Sequence, residues 1–195
     1  MPLHIPPAPS AALRSVLAAL SSPATVREAR TPALREAVGP LVPDHPLPMH
    51  VLEPAAPGGG LPHARLTGWR FHIRSDERVA AAGETVPTAD GWAFSHFCEG
   101  PYLASTERAL RQADVLTAGY QPHLLSVPGL YMLTLWLHSD LTDDPAVAQP
   151  ASADLLIPLA PAPPGIAAHR LHRLTDLVPV LTLRLAPTPL LSSPA

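Results

Sequence analysis

The most regular stretch of this chain is Trp69-Arg70-Phe71-His72-Ile73-Arg74, where apolar and cationic residues alternate without a break. A period of two sends one kind of side chain to each face of a strand, so the pattern predicts a half-buried strand. Ser75-Asp76-Glu77 supplies a turn, and residues 79–86 read as a second strand closing a hairpin. Asp90-Gly91 is a further turn signal, after which Trp92-Ala93-Phe94-Ser95-His96-Phe97-Cys98 resumes the alternation. Strands joined in this way predict an antiparallel meander.

After Gly100-Pro101 the period lengthens. Leu103, Thr106, Leu110, Ala113 and Leu116 recur at spacings of three and four, with Glu107, Arg108, Arg111 and Asp114 on the other side. That is an amphipathic helix, with Pro101 suited to its first turn and Gly119 to its end. Residues 123–127 and 130–138 return to strand patterning, split by Pro128-Gly129, where a bulge or bend is expected. Tyr131, Leu133, Leu135 and Leu137 would share one face, Met132 and Trp136 the other. A strand apolar on both faces is central in a sheet or covered twice. Residues 154–159 are a candidate last strand.

The expected fold class is therefore α+β: an antiparallel sheet of about five strands, in the order β-β-β-α-β-β, with one main helix packed on it. Short helices are expected at 11–20 and 25–38 before this core and at 166–177 after it. Residues 180–185 fit either strand or helix.

Composition sharpens the boundaries. The chain has 195 residues and 27 prolines. Proline crowds the two ends, whereas every Trp, Phe and Tyr falls between Trp69 and Trp136. Aromatics dominate cores and proline is excluded from ladders and helix interiors. The two classes together predict a compact core over 63–160 between a proline-rich N-terminal arm with short helices, 1–62, and a proline-rich C-terminal arm, 161–195. Gly58-Gly59-Gly60 is the expected flexible joint. The absence of lysine and asparagine, with alanine, proline, arginine and leucine abundant, is what a GC-rich bacterial genome produces.

Charge and motifs exclude several functions. A net charge of −3 gives no electrostatic footprint for nucleic acid. With no lysine, neither a Schiff base nor a phosphate-loop lysine is available. A single cysteine, Cys98, rules out an internal disulfide framework and a multi-cysteine zinc site. Residues 1–10 lack the pattern of a secretory signal, and no apolar run reaches the roughly 20 residues of a membrane span. A cytoplasmic protein with no membrane insertion, no nucleic-acid partner and no cofactor is the expectation.

Four groups of residues carry candidate chemistry. Cys98 ends a strand just before a helix N-terminus and shares a strand face with His96, an arrangement for a thiol nucleophile and its base. Trp92 and Phe94 share that same face, however, which also fits a small buried cysteine. His138, Asp140 and Asp143, beside Asp144, put an imidazole and carboxylates at a strand end, as a metal site or as ordinary turn residues. His169, His172 and Asp176 would share one face of a helix. Arg70, His72 and Arg74, with Phe97 exposed among them, form a cationic sheet face able to take an anionic ligand or an acidic partner, or simply a wet sheet face.

The first functional expectation is a non-enzymatic accessory or assembly protein whose arms dock a protein partner or a second copy of the chain. The alternatives are a small anionic-ligand binder on the cationic sheet face and a cysteine-dependent enzyme using Cys98 and His96.

Overall fold

In the computed structural model, residues 3–28, 31–53, 61–76 and 78–185 are described. The expected Gly58–Gly60 joint and the end of the C-terminal arm lie outside them. Three short helices come first: α1 (Ser10–Leu20), α2 (Pro23–Glu28) and α3 (Pro32–Glu36). Strands β1 (Leu41–Glu53), β2 (His63–Ser75), β3 (Arg78–Thr88) and β4 (Gly91–Cys98) follow. Helix α4 (Pro101–Asp114) leads to β5 (Gln121–Val127), β6 (Met132–His138), β7 (Leu155–Pro158) and β8 (His172–Arg173), and α5 (Leu174–Leu185) closes the series.

All eight strands join one sheet in the order β4-β3-β2-β1-β5-β6-β7-β8. The β1–β5 pair is parallel and the other pairs are antiparallel. The α+β class holds, but about five antiparallel strands and one main helix understate it: among the described residues the sheet is mixed, with eight strands, and five α-helices accompany it. The largest omission is β1, which runs through the sequence's proline-rich N-terminal stretch and carries Pro43, Pro46 and Pro48. Two features let a strand hold these prolines. Pro46 falls, with His45 (φ 45°), in a gap in the β2 register. The β5 pairing spans only Met49 to Val51, beyond the last proline, so, among the described residues, 41–48 have a ladder neighbour on one side alone.

Both faces of the sheet are covered. On one, Ala109, Leu110 and Ala113 of α4 meet Leu47, Leu124, Leu133, Leu135, Leu137 and Ile157. On the other, Ala12, Val16 and Ala19 of α1 pack with Leu34 against Trp69, Phe71, Ile73, Ala81 and Phe97. Farther along that second face, Leu174, Leu177, Val178 and Leu181 of α5 cover Leu125, Met132, Trp136 and Leu156. The double covering of β6 follows from its apolar residues on both faces. Each fully buried leucine or phenylalanine in these layers contributes roughly 1.5–3 kcal/mol over its exposed state.

Residues 166–171 are not helical; β8 and then α5 occupy the region assigned to a helix over 166–177, and the ambiguous 180–185 stretch belongs to α5. At Gly68 a Cβ would run into the carbonyl oxygen of Thr85 on β3. No helix among the described residues is long and apolar enough to cross a membrane.

Candidate functional site

The register of β2 decides where its cationic residues point. Arg70 lies opposite Leu47 on β1 and Glu84 on β3, and Leu47 belongs to the layer under α4. Arg70, His72 and Arg74 therefore face the α4 side, partly roofed, and do not form an open wet surface. Arg70 donates from Nε (2.9 Å) and Nη2 (2.5 Å) to Glu84 Oε1, and Arg74 Nε donates to Asp44 Oδ2 at 3.1 Å. Each guanidinium thus meets a carboxylate. His72 is 1% exposed, and its Nε2 has no hydrogen-bond partner. Burial, helped by the charges of His45, Arg70 and Arg74, pulls it down to about 4, so it is neutral at pH 7. It lines a cavity of about 180 Å³ with His45, Arg74, Glu107, Leu110 and Arg111.

Phe97, expected on that face, lies on the opposite one. It is 6% exposed and packs in the α1 layer with Trp69 and Phe71. The reason is a β-bulge: Glu84 pairs with His96 and Thr85 with Phe94, leaving Ser95 as an extra residue. The insertion shifts the alternation by one position. Phe94 and Phe97 consequently bring their rings within 4.6 Å on one side, while His96 and Cys98 turn away from them toward Glu84.

The bulge thereby brings His96 and Cys98 to the face of Glu84, from which strict alternation would have separated them. The donor atoms of Glu84, His96 and Cys98 lie within 4.8 Å of one another. The Cys98 thiol donates to Glu84 Oε1 at 3.6 Å, and His96 Nε2 is 3.9 Å from Glu84 Oε2. Burial pushes the thiol up to about 11, Glu84 adding to the rise and Arg70 opposing it. At neutral pH the sulfur keeps its proton, and both Cys98 and His96 address Glu84. The arrangement lacks the thiolate that a nucleophile needs. Beside it, a cavity of about 210 Å³ is lined by Arg70, Glu84, His96, Cys98 and, from the start of α4, Tyr102.

A second polar group is enclosed on the opposite face. Asp154, with no exposure, accepts from Trp136 Nε1 (2.7 Å), His138 Nδ1 (3.1 Å), Ser139 N (2.9 Å), Ser139 Oγ (2.7 Å) and Ala151 N (2.9 Å). His138 reaches Asp143 Oδ2 at 2.9 Å through its other nitrogen. Burial works against its charge, but the hydrogen bonds and charges of Asp154 and Asp143 outweigh it and raise its pKa. Burial likewise opposes ionisation of Asp154, and its donors prevail, leaving it below the usual carboxylate range. With both ring nitrogens directed at carboxylates, His138 presents no lone pair to an ion. Asp140 is engaged by the backbone N–H and hydroxyl of Thr142, a turn contact. The group pins the 139–153 loop over the sheet.

Trp136 also carries a row of rings. His50 and His123 stack at 5.1 Å, and His123 sits 4.8 Å from Trp136. His50 meets the loop through Pro145 O at 3.0 Å. Burial drives His50 down to about 4 and His123 to about 2. His169, His172 and Asp176 do not share a helix face: His169 occupies a turn with φ 60°, His172 is in β8 and Asp176 in α5. His169 Nε2 instead meets Ser105 Oγ at 3.2 Å.

Glu84, Asp154, His50 and His123 were not among the sequence candidates. Glu84 had one signal, as the acid amid the small and β-branched residues of 79–86. No family model, curated protein or solved structure matches the chain.

Proposed function

We propose that this chain is a non-enzymatic assembly protein that pairs with a second copy of itself through the β4 edge of its sheet. The observation carrying this reading is the chemistry of β4. Among the described residues it has a ladder partner on one side only, β3. Its sequence, Gly-Trp-Ala-Phe-Ser-His-Phe-Cys, contains no Lys, Arg, Asp, Glu or Pro. Edge strands that must stay single are usually guarded by charge, proline or extreme shortness. The opposite edge, β8, is guarded by its two-residue length and Arg173. The guard on β4 is the bulge at Ser95, which leaves residues 91–94 regular. An antiparallel, two-fold pairing of this segment with its copy brings no like charges together. The arms add less than the sequence suggested, because α1 and β1 pack within the chain's own fold.

The test is size-exclusion chromatography with light scattering over a concentration series. A dimer that Ala93→Lys converts to a folded monomer is the expected result. A wild-type chain that stays monomeric at every concentration would sink the proposal.

A second reading, binding of a small anionic ligand beneath α4, is favoured by the buried, unpartnered Nε2 of His72 on its cavity. An acceptor oxygen would complete that atom's hydrogen bonding. Inorganic phosphate and acetate should then raise the melting temperature of the wild type and not of His72→Phe; equal shifts in both dismiss this reading.

A further inference from the structure

The cluster of Glu84, His96 and Cys98 combines three different donor chemistries, and each donor is already held by a neighbour. Ser95 Oγ lies 3.0 Å from His96 Nδ1, so an Nδ1–H donated there leaves the Nε2 lone pair facing Glu84. Metal-binding histidines are oriented in this way by a partner on the other nitrogen. Arg70 clamps Oε1 of Glu84 and leaves Oε2 on the His96 side. Cys98 Sγ is fixed by its contact with the same carboxylate.

We propose that these three residues bind a divalent ion of the zinc or cobalt class, with an open coordination position facing the cavity at the start of α4. A thiolate, an imidazole and a carboxylate are the donor set such ions accept, at about 2.0–2.3 Å per bond. Donors around a tetrahedral ion then sit roughly 3.3–3.8 Å apart. The present spread of 4.8 Å closes by about an ångström, which His96 supplies, since its side chain is 55% exposed. That exposure is also the route of entry.

The charges fit. On binding, Cys98 releases its proton to solvent as the sulfur–metal bond forms, and no electron changes hands. Ion, thiolate and carboxylate sum to zero, so the nearby Arg70 leaves the site positive. The open position therefore takes water, hydroxide or a small anion, and the cavity of about 210 Å³ has room for it. Three protein ligands plus one open position leave the ion able to take an exogenous ligand, unlike a closed four-ligand site. The site lies on one chain and is independent of whether β4 pairs with a copy.

The experiment is titration of the chelator-washed full chain with cobalt(II), followed by absorption. Cys98 is the chain's single cysteine, so a thiolate-to-cobalt charge-transfer band has one possible origin. The expected result is saturation of that band at one equivalent, its loss in Cys98→Ser, and displacement of cobalt by zinc. Affinity should fall at least tenfold in His96→Ala, a surface change that leaves the fold intact by circular dichroism. Glu84→Gln should weaken binding in the same direction. No charge-transfer band, or one whose affinity is unchanged in His96→Ala, overturns the proposal.

Discussion

Three histidines buried without their charge make acid the most revealing perturbation of this fold. His50, His72 and His123 are each no more than 1% exposed, and burial lowers them to about 4, about 4 and about 2. The unfolded chain takes up these protons near the ordinary histidine value of about 6.5. Above that pH neither state is charged, and the three contribute no pH dependence. Below it the unfolded state binds protons that the folded state refuses, so stability falls with decreasing pH until the folded values are reached. Each histidine costs about 1.4 kcal/mol per pH unit in that window. At about pH 5 the three together have removed roughly 6 kcal/mol, comparable to the whole stability of many domains, about 5–15 kcal/mol. The His138–Asp154 pair does not offset this. The raised His138 contributes fully below about 6.5, and the lowered Asp154 contributes fully above about 4, so both are constant across the window. Urea unfolding followed by tryptophan fluorescence at a series of pH values reads the slope directly. The expectation is an uptake of two to three protons on unfolding near pH 5.5, by the sum of these three groups. His72→Phe, which removes one titrating ring, should lower that uptake by about one proton. A stability unchanged between about pH 7 and pH 5 would refute the reasoning.

Asp154→Ala strands five donors, two of them on the buried rings of Trp136 and His138, and should cost about 3–5 kcal/mol in urea unfolding, with the loop after Ser139 becoming protease-sensitive; a loss under about 1 kcal/mol would mean the donors re-pair. In metal-free protein, Cys98 should react with a disulfide reagent at neutral pH about a hundredfold more slowly than an ordinary thiol, because its pKa stands near 11; a rate matching free cysteine would show the thiol ionised. Gly68→Ala should destabilise by roughly 2–3 kcal/mol, since the new methyl meets the Thr85 backbone, and a neutral thermal shift would show that the strands part easily.

The parts of the fold visible in the sequence are those in which a side-chain period is uninterrupted. Residues 69–74, 79–86 and 92–98 lie within observed strands, and the helix after Gly100 was expected from the same rule. The failures share a physical cause, which is that partner strands, and not local pattern, set the outcome. In β1, proline marks the segment as an arm, yet its prolines are tolerated because β5 arrives only at Met49. Nothing local to 41–53 reports where β5 ends. In β4 the alternation is real, but one unpaired residue, Ser95, reverses it for everything downstream. Phe97 was thereby assigned to the wrong face, and His96 and Cys98 were grouped with Trp92 and Phe94.

The same bulge links the two readings of this protein. An extra residue in an edge strand bends it and interrupts pairing, which restricts any partner strand to residues 91–94. It also rotates His96 and Cys98 onto the face where Glu84 already holds Arg70. Removing Ser95, the residue without a partner, would restore continuous alternation while His96 stays opposite Glu84 and Phe97 opposite Gly83. Deletion of this single residue should therefore lengthen the pairing edge and leave the cobalt site in place, less the Ser95 hydroxyl beside His96 Nδ1. A deletion variant that folds yet loses its thiolate–cobalt band would show that the bulge itself, and not the pairing of His96 with Glu84, builds the site.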